Sequence, residues 1–205
     1  MTTPFGDEET KPAPGRLAEV QALINTRDVE TGADLLTDID SAQRWLTDNG
    51  LATGVVTRPD IVAVVAVREA LRALILENGG GPTPGEDELH GLRAVMARSA
   101  AHATLGADGM VRVEPAADTV DGRLLSLLLV VRDAQADGSW SRLKACGNPD
   151  CRWAFYDRSR NHGGTWCDMT GCGNKLKNRD FRARRRRSGG GVPDQGGGQR
   201  AHPVE

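Results

Sequence analysis

Four cysteines constrain this chain more than any other feature. They fall in two short pairs, Cys146-x4-Cys151 and Cys167-x4-Cys172, with fifteen residues between the pairs, and no cysteine is left over. Zinc favours four ligands in a tetrahedron, and two short-range pairs joined by a loop close such a site without a long excursion of the backbone. Turn-forming residues sit inside each pair, Gly147-Asn148-Pro149-Asp150 in the first and Gly171 in the second. Six of the eight aromatic residues, Trp140, Trp153, Phe155, Tyr156, Trp166 and Phe181, lie in the same stretch. A unit this small cannot bury enough surface to fold unaided, so a metal and a cluster of large side chains are the usual remedy.

The pattern therefore predicts one structural Zn2+ held by Cys146, Cys151, Cys167 and Cys172. Two disulfides or a metal-free redox set are the competing uses of the same thiols. Catalytic zinc needs an open fourth position, which four cysteines do not leave. His162 reads as a solvated loop residue. Trp153 to Tyr156 and Thr165 to Cys167 are expected to form a hairpin around Asn161 to Gly164, with a helix after Cys172, an order like that of treble-clef zinc modules.

Charge is divided sharply along the chain. Residues 1–141 hold 12 Lys and Arg against 22 Asp and Glu, a net of −10, whereas residues 142–187 hold 13 against 4, a net of +9. Lys175, Lys177, Arg179, Arg182, Arg184, Arg185, Arg186 and Arg187 follow the last cysteine. On a helix, Lys175, Arg179, Arg182 and Arg186 share one stripe while Leu176 and Phe181 point elsewhere. A cationic ridge of this kind suits phosphate oxygens, so nucleic acid, DNA first, is the expected partner. A solvated helix, or pairing with the acidic part of the same chain, is the plain alternative.

Before the cysteines, helical periodicity dominates. Leu17 to Ile24 reads as helix. Leu35, Leu36, Ile39, Ala42, Trp45 and Leu46 predict a second, with Asp34 as its cap and Asn49-Gly50 as its stop. A third starts near Thr57, with Asp60 at the capping-box position, and stops at Gly79 to Gly81. Leu89, Leu92, Val95 and Met96 mark a fourth and residues 122–136 a fifth, while the stretch 103–114, broken by Gly106 to Gly109, predicts a β-hairpin. The fold class expected is mainly α: a helical domain over residues 15–138 with a small β-hairpin, then a treble-clef-like zinc module over 139–187. Residues 1–14 and the glycine-rich 188–205 read as disordered tails. No run approaches the roughly 18 apolar residues of a membrane span. The start of the chain lacks the features of a secretion signal, so a cytoplasmic, and if DNA-binding a nucleoid-associated, protein is expected.

Several of these residues together resemble a known family. Cys146-Gly-Asn-Pro-Asp-Cys151, Trp153-Ala-Phe155-Tyr-Asp157-Arg-Ser159-Arg160-Asn161, Trp166-Cys167-Asp-Met169 and Cys172-Gly173-Asn174-Lys175 are similar to the CGNR-type zinc finger over about residues 143–186. Lys175 stands in place of the arginine of the name, keeping the charge but losing the bidentate fork. His162-Gly163-Gly164 replaces a stretch that is commonly basic. In that family the finger commonly follows a helical ABATE domain, associated with stress-induced transcription regulation. Leu23-Ile24-Asn25-Thr26-Arg27, the Trp45 helix and Val67-Arg68-Glu69-Ala70-Leu71-Arg72 resemble that domain.

The larger domain has no glycine-rich phosphate loop, no paired-histidine metal motif and no nucleophile elbow, and the chain is not expected to be an enzyme. Asn25, Arg27, Arg68 and Arg72 are candidates to line a small-molecule pocket, against the plainer reading of salt-bridged structural residues. The expected function is DNA-binding transcription regulation, with the helical domain sensing an effector or forming a homodimer. The alternative is an adaptor whose zinc module docks an acidic protein.

Overall fold

The computed structural model describes residues 3–174. The central element is α3 (Arg58–Asn78), which buries Val64, Val67, Ala70, Leu71 and Ile75 along one side together with Arg68 and Arg72. Its start carries the full capping box. The Thr57 hydroxyl accepts from the Asp60 N–H at 3.4 Å, and the Asp60 carboxylate accepts from the Thr57 N–H at 2.8 Å. Around α3 pack α1 (Leu17–Ile24), α2 (Ile39–Asp48), α4 (His90–Arg98) and α5 (Val120–Asp137). The chain is mainly α, as its periodicity requires.

The second helix starts later than the sequence predicts. Asp38, not Asp34, accepts the cap hydrogen bond, from Ser41 N–H. Asp34 has other partners: both its oxygens take the Arg68 guanidinium, at 2.7 and 2.8 Å, and its backbone bridges Arg27. Leu35 and Leu36 thus lie in the approach to α2, where Leu36 is still buried.

The predicted hairpin is present as β1 (Ala101–Leu105) paired antiparallel with β2 (Val111–Pro115). After α5 the chain turns through Gly138, whose φ of +81° suits a residue without a Cβ. It then enters a short 3-10 turn and a second two-stranded sheet. There β3 (Leu143–Ala145) pairs with β4 (Ala154–Tyr156), Leu143 opposite Tyr156 and Ala145 opposite Ala154. This differs from the expected pairing of Trp153–Tyr156 with Thr165–Cys167; the latter instead meets the first cysteine turn, where the Gly147 N–H donates to the Thr165 carbonyl at 2.8 Å. Burial decides the pairing: every residue of β3 and β4 is buried, and Leu143, Ala145, Ala154 and Tyr156 belong to the same hydrophobic core as the helices.

The acidic start of the chain, expected as a tail, packs down over its described residues. Ala13 is buried in the core and Glu9 is only 7% exposed. Its ties to the zinc module, set out below, hold it there. No helix among the described residues is long and apolar enough to cross a membrane.

Candidate metal centre and its seat on the helical domain

The first cysteine pair occupies the tip of the β3–β4 hairpin. The Cys146 N–H donates to the Trp153 carbonyl at 2.8 Å, closing the hairpin, and Arg152 turns the chain back with a φ of +56°. Asn148, 3% exposed, organises the turn: its carbonyl accepts from Cys151 and Arg152 N–H, and its side-chain amide reaches the Cys172 sulfur at 3.7 Å. Gly147 lets the second pair approach, because a Cβ there would lie 2.9 Å from Thr165 Cγ2 and 3.1 Å from the Trp166 ring. In the second pair Cys167 precedes the turn Met169–Gly173 and Cys172 lies within it, the turn being capped by the Asp168 carboxylate on the Gly171 N–H.

This brings the four sulfurs within 4.8 Å of one another. Cys151 and Cys167 sulfurs are 3.6 Å apart, and Cys167 and Cys172 sulfurs 3.8 Å. A zinc–sulfur bond of about 2.3 Å in a tetrahedron sets sulfurs about 3.8 Å apart, so the spacing fits one zinc ion. The donor chemistry agrees. Hydrogen bonds from Cys151 and Cys167 pull the Cys146 thiol down, and those same hydrogen bonds, with burial and the Cys146 charge, push Cys151 and Cys167 up. Thiolates this close repel one another, and a cation among them offsets that repulsion. The ion held is one structural zinc: three of its sulfurs are buried and none of the four positions is free for a substrate. His162 is exposed, outside the sulfur cluster, as expected of a loop residue.

Between β4 and the second cysteine pair, Asp157 holds the loop. It accepts from Lys144 Nζ at 2.9 Å, Ser159 N–H at 3.0 Å and Gly164 N–H at 2.7 Å, and Lys144 also donates to the His162 carbonyl. Both charged side chains are at least 95% buried. Burial alone would raise the Asp157 pKa; Lys144 and Ser159, with the Gly164 amide, hold it well below the usual carboxylate range instead.

The module is seated on the helical domain by side-chain amides. Asn25 accepts the Ala154 N–H at 2.8 Å and donates to the Ala154 carbonyl at 3.0 Å. It thereby takes the place a neighbouring strand would have on the open edge of β4. Gln21 donates to the same carbonyl at 3.1 Å, and the Tyr156 N–H donates to the Lys11 carbonyl at 3.0 Å. Arg72 donates to the Ile24 carbonyl at 2.7 Å and the Arg152 carbonyl at 3.2 Å. Asn78, at the end of α3, donates to the carbonyls of Trp140 and Leu143. From the start of the chain, Glu9 accepts from Trp153 Nε1 at 3.2 Å and Lys11 donates to the Trp166 carbonyl at 2.6 Å.

These contacts place the four residues considered for a small-molecule pocket. Arg27, Arg68 and Arg72 do gather, around Glu69. The polar groups of Arg68, Arg72 and Asn25 go to protein partners: Arg68, 1% exposed, to Asp34, Thr26 and Glu69, and Asn25 and Arg72 to the zinc module, while Arg27 is half exposed with Glu69 at 3.9 Å. Burial draws the Arg72 pKa down while Glu69 draws it back up. Gln21, Lys144 and Asn78 were not legible as site residues, since a buried polar side chain has no sequence period of its own. Asp157 had one signal, its place in the Trp153–Asn161 motif. The predicted nucleic-acid residues Lys175, Lys177, Arg179, Arg182 and Arg184 to Arg187 lie outside the described residues.

Residues 18–136, more than half the chain, match the sequence model of ABATE, described as "Putative stress-induced transcription regulator". The chain belongs to the ABATE family. Residues 142–185 match the CGNR zinc finger, so the two parts stand in the order their residues implied. The ABATE match ends at the last turn of α5, and the CGNR match opens one residue before β3. No curated protein matches the chain.

Proposed function

We propose that this ABATE–CGNR protein regulates transcription by binding DNA through the basic segment Lys175 to Arg187, which follows the zinc module in the chain. The carrying observation is the position of the metal centre. Its last ligand, Cys172, is three residues before Lys175, and the module is tied through Asn25, Arg72 and Asn78 to α1 and α3. A segment with eight cations and one acid then leaves from a rooted point, and such a segment contacts phosphates without reading sequence. The family description supports a regulatory role.

The helical domain supplies the response in this reading. A cavity of about 560 Å3 between α3 and α4, floored by Ala63, Ala66, Gly91 and Ala94 with Arg58 and His90 among its lining, is the place for an effector. The β1–β2 hairpin supplies a surface for a second copy: Ala101, Ala103, Leu105, Val111 and Val113 share one face and are exposed.

The test is a titration of zinc-loaded protein against genomic DNA fragments at several salt concentrations, beside the variant Arg184→Ala, Arg185→Ala, Arg186→Ala, Arg187→Ala. The wild type should lose affinity steeply with salt, and the variant should flatten the log–log slope by about 3 to 4. Absence of binding by both proteins at low salt would sink the DNA reading, and a protein partner of the basic segment would then be sought.

A further inference from the structure

A groove runs beside the zinc centre, between the start of the chain and the loop after α1. Glu8, Glu9, Thr10, Asp28, Glu30 and Asp168 line it, and three of the four zinc ligands, Cys151, Cys167 and Cys172, form its wall. Four thiolates on one Zn2+ leave a net charge of about −2 at that wall, in addition to the carboxylates. The charged groups that line the groove are therefore all anionic.

One of its acids is unusual. Glu9 is 7% exposed, yet its carboxylate oxygens are met by the Lys11 N–H, the Asn25 amide and the Trp153 indole N–H, all neutral donors. No ion pair to Glu9 exists among the described residues. A carboxylate taken out of water without a counter-charge is costly, and a cation in the groove would offset that cost. The nearby Lys11 is turned to the Trp166 carbonyl and the Phe155 ring instead.

The sequence provides the cation. Gly171 and Cys172 line the groove, and Asn174 is the last residue before Lys175 and Lys177. At roughly 3.3 to 3.6 Å per residue, the three steps from Asn174 to Lys177 span at most about 10 Å, a connection short enough for the first cations to meet the groove. A tether this short keeps the local concentration of the segment high.

We infer that this acidic groove is the intramolecular docking site of the chain's own basic segment, Lys175 to Arg187. Free DNA then competes with the groove for the same side chains, a consequence that rests on the regulator reading above. The groove acts as a phosphate substitute made of carboxylates and zinc-bound thiolates. Its selectivity is for a polycation, because several carboxylates and zinc-bound thiolates line it together.

The experiment is zero-length carbodiimide cross-linking of the zinc-loaded full-length protein at low salt, followed by peptide mapping. An equimolar mixture of 14N- and 15N-labelled copies separates links within a chain from links between chains. Lys175 and Lys177 are expected to join Glu8, Asp28, Glu30 or Asp168 within one copy, and the links should fade at high salt. In the variant Glu8→Gln, Glu30→Gln, with unchanged circular dichroism and zinc content, those links should fall and low-salt affinity for a DNA duplex should rise by about tenfold. Absence of such links at low salt, or links only between copies, overturns the docking site whether or not the protein binds DNA. If the links form and no DNA is bound, it is the regulator reading that fails.

Discussion

Three backbone and side-chain donors converge on Asp157, and its partner Lys144 is as deeply buried as it is. Removing one charge of a buried pair strands the other, which typically costs about 3 to 5 kcal/mol. Asp157→Asn should lose that much in urea denaturation of the zinc-loaded protein, and Lys144→Met with Asp157→Leu should recover part of it. The sign of the pH dependence follows from the depressed pKa of Asp157. A lowered folded value means the ion pair contributes fully above the unfolded value near 3.8 and is lost as pH falls through the lower folded value. The stability gap between wild type and Asp157→Asn should therefore be flat from about pH 5 to 8 and shrink below about pH 4. A gap that grows on acidification would contradict this assignment.

Among the elements, β4 depends most on what lies beside it. A three-residue strand in a two-stranded sheet is marginal alone, and here its outer edge is satisfied by Asn25, Gln21 and the Lys11 carbonyl. Asn25→Ala leaves the buried N–H of Ala154 without its acceptor, a loss of about 1 to 3 kcal/mol. Hydrogen exchange should show faster exchange at Ala154, with α3 unaffected. Equal acceleration throughout α3 would mean that Asn25 supports the helical domain as a whole. The elements also show why the helix starts were unevenly legible. Thr57 and Asp60 cap α3 by a local exchange of hydrogen bonds that sequence spacing encodes. Asp34 has the same local qualifications, but it is claimed by Arg68, 34 residues away, and the cap of α2 passes to Asp38.

At the scale of the whole molecule, the zinc module straddles two cores. Leu143, Ala145, Ala154 and Tyr156 pack with the helices, whereas Cys146, Cys151 and Cys172 form a separate cluster with Trp153, Trp166 and Cys167. Removing zinc with a chelator should therefore unravel the cysteine turns while β3, β4 and the helices stay folded. The expected signature is one zinc released per chain, a change in tryptophan fluorescence, little change in helical circular dichroism, and retained amide protection at Tyr156. Loss of most helical signal on chelation would show that the metal holds the entire fold. The sequence alone determined what depends on local spacing: the four ligands and their ion, the α3 cap, the β1–β2 hairpin, and the division of charge. The family resemblance was legible there too, because cysteines, turns and aromatic residues lie close together in the chain. Only the tertiary structure decided which strand pairs with β4, that Asn25 and Arg72 join two parts of the chain, and that the acidic start of the chain lies against the zinc module. The pairing depends on burial against the helical core, and the other two on buried polar groups finding partners more than 40 residues away, which leave no period in the sequence.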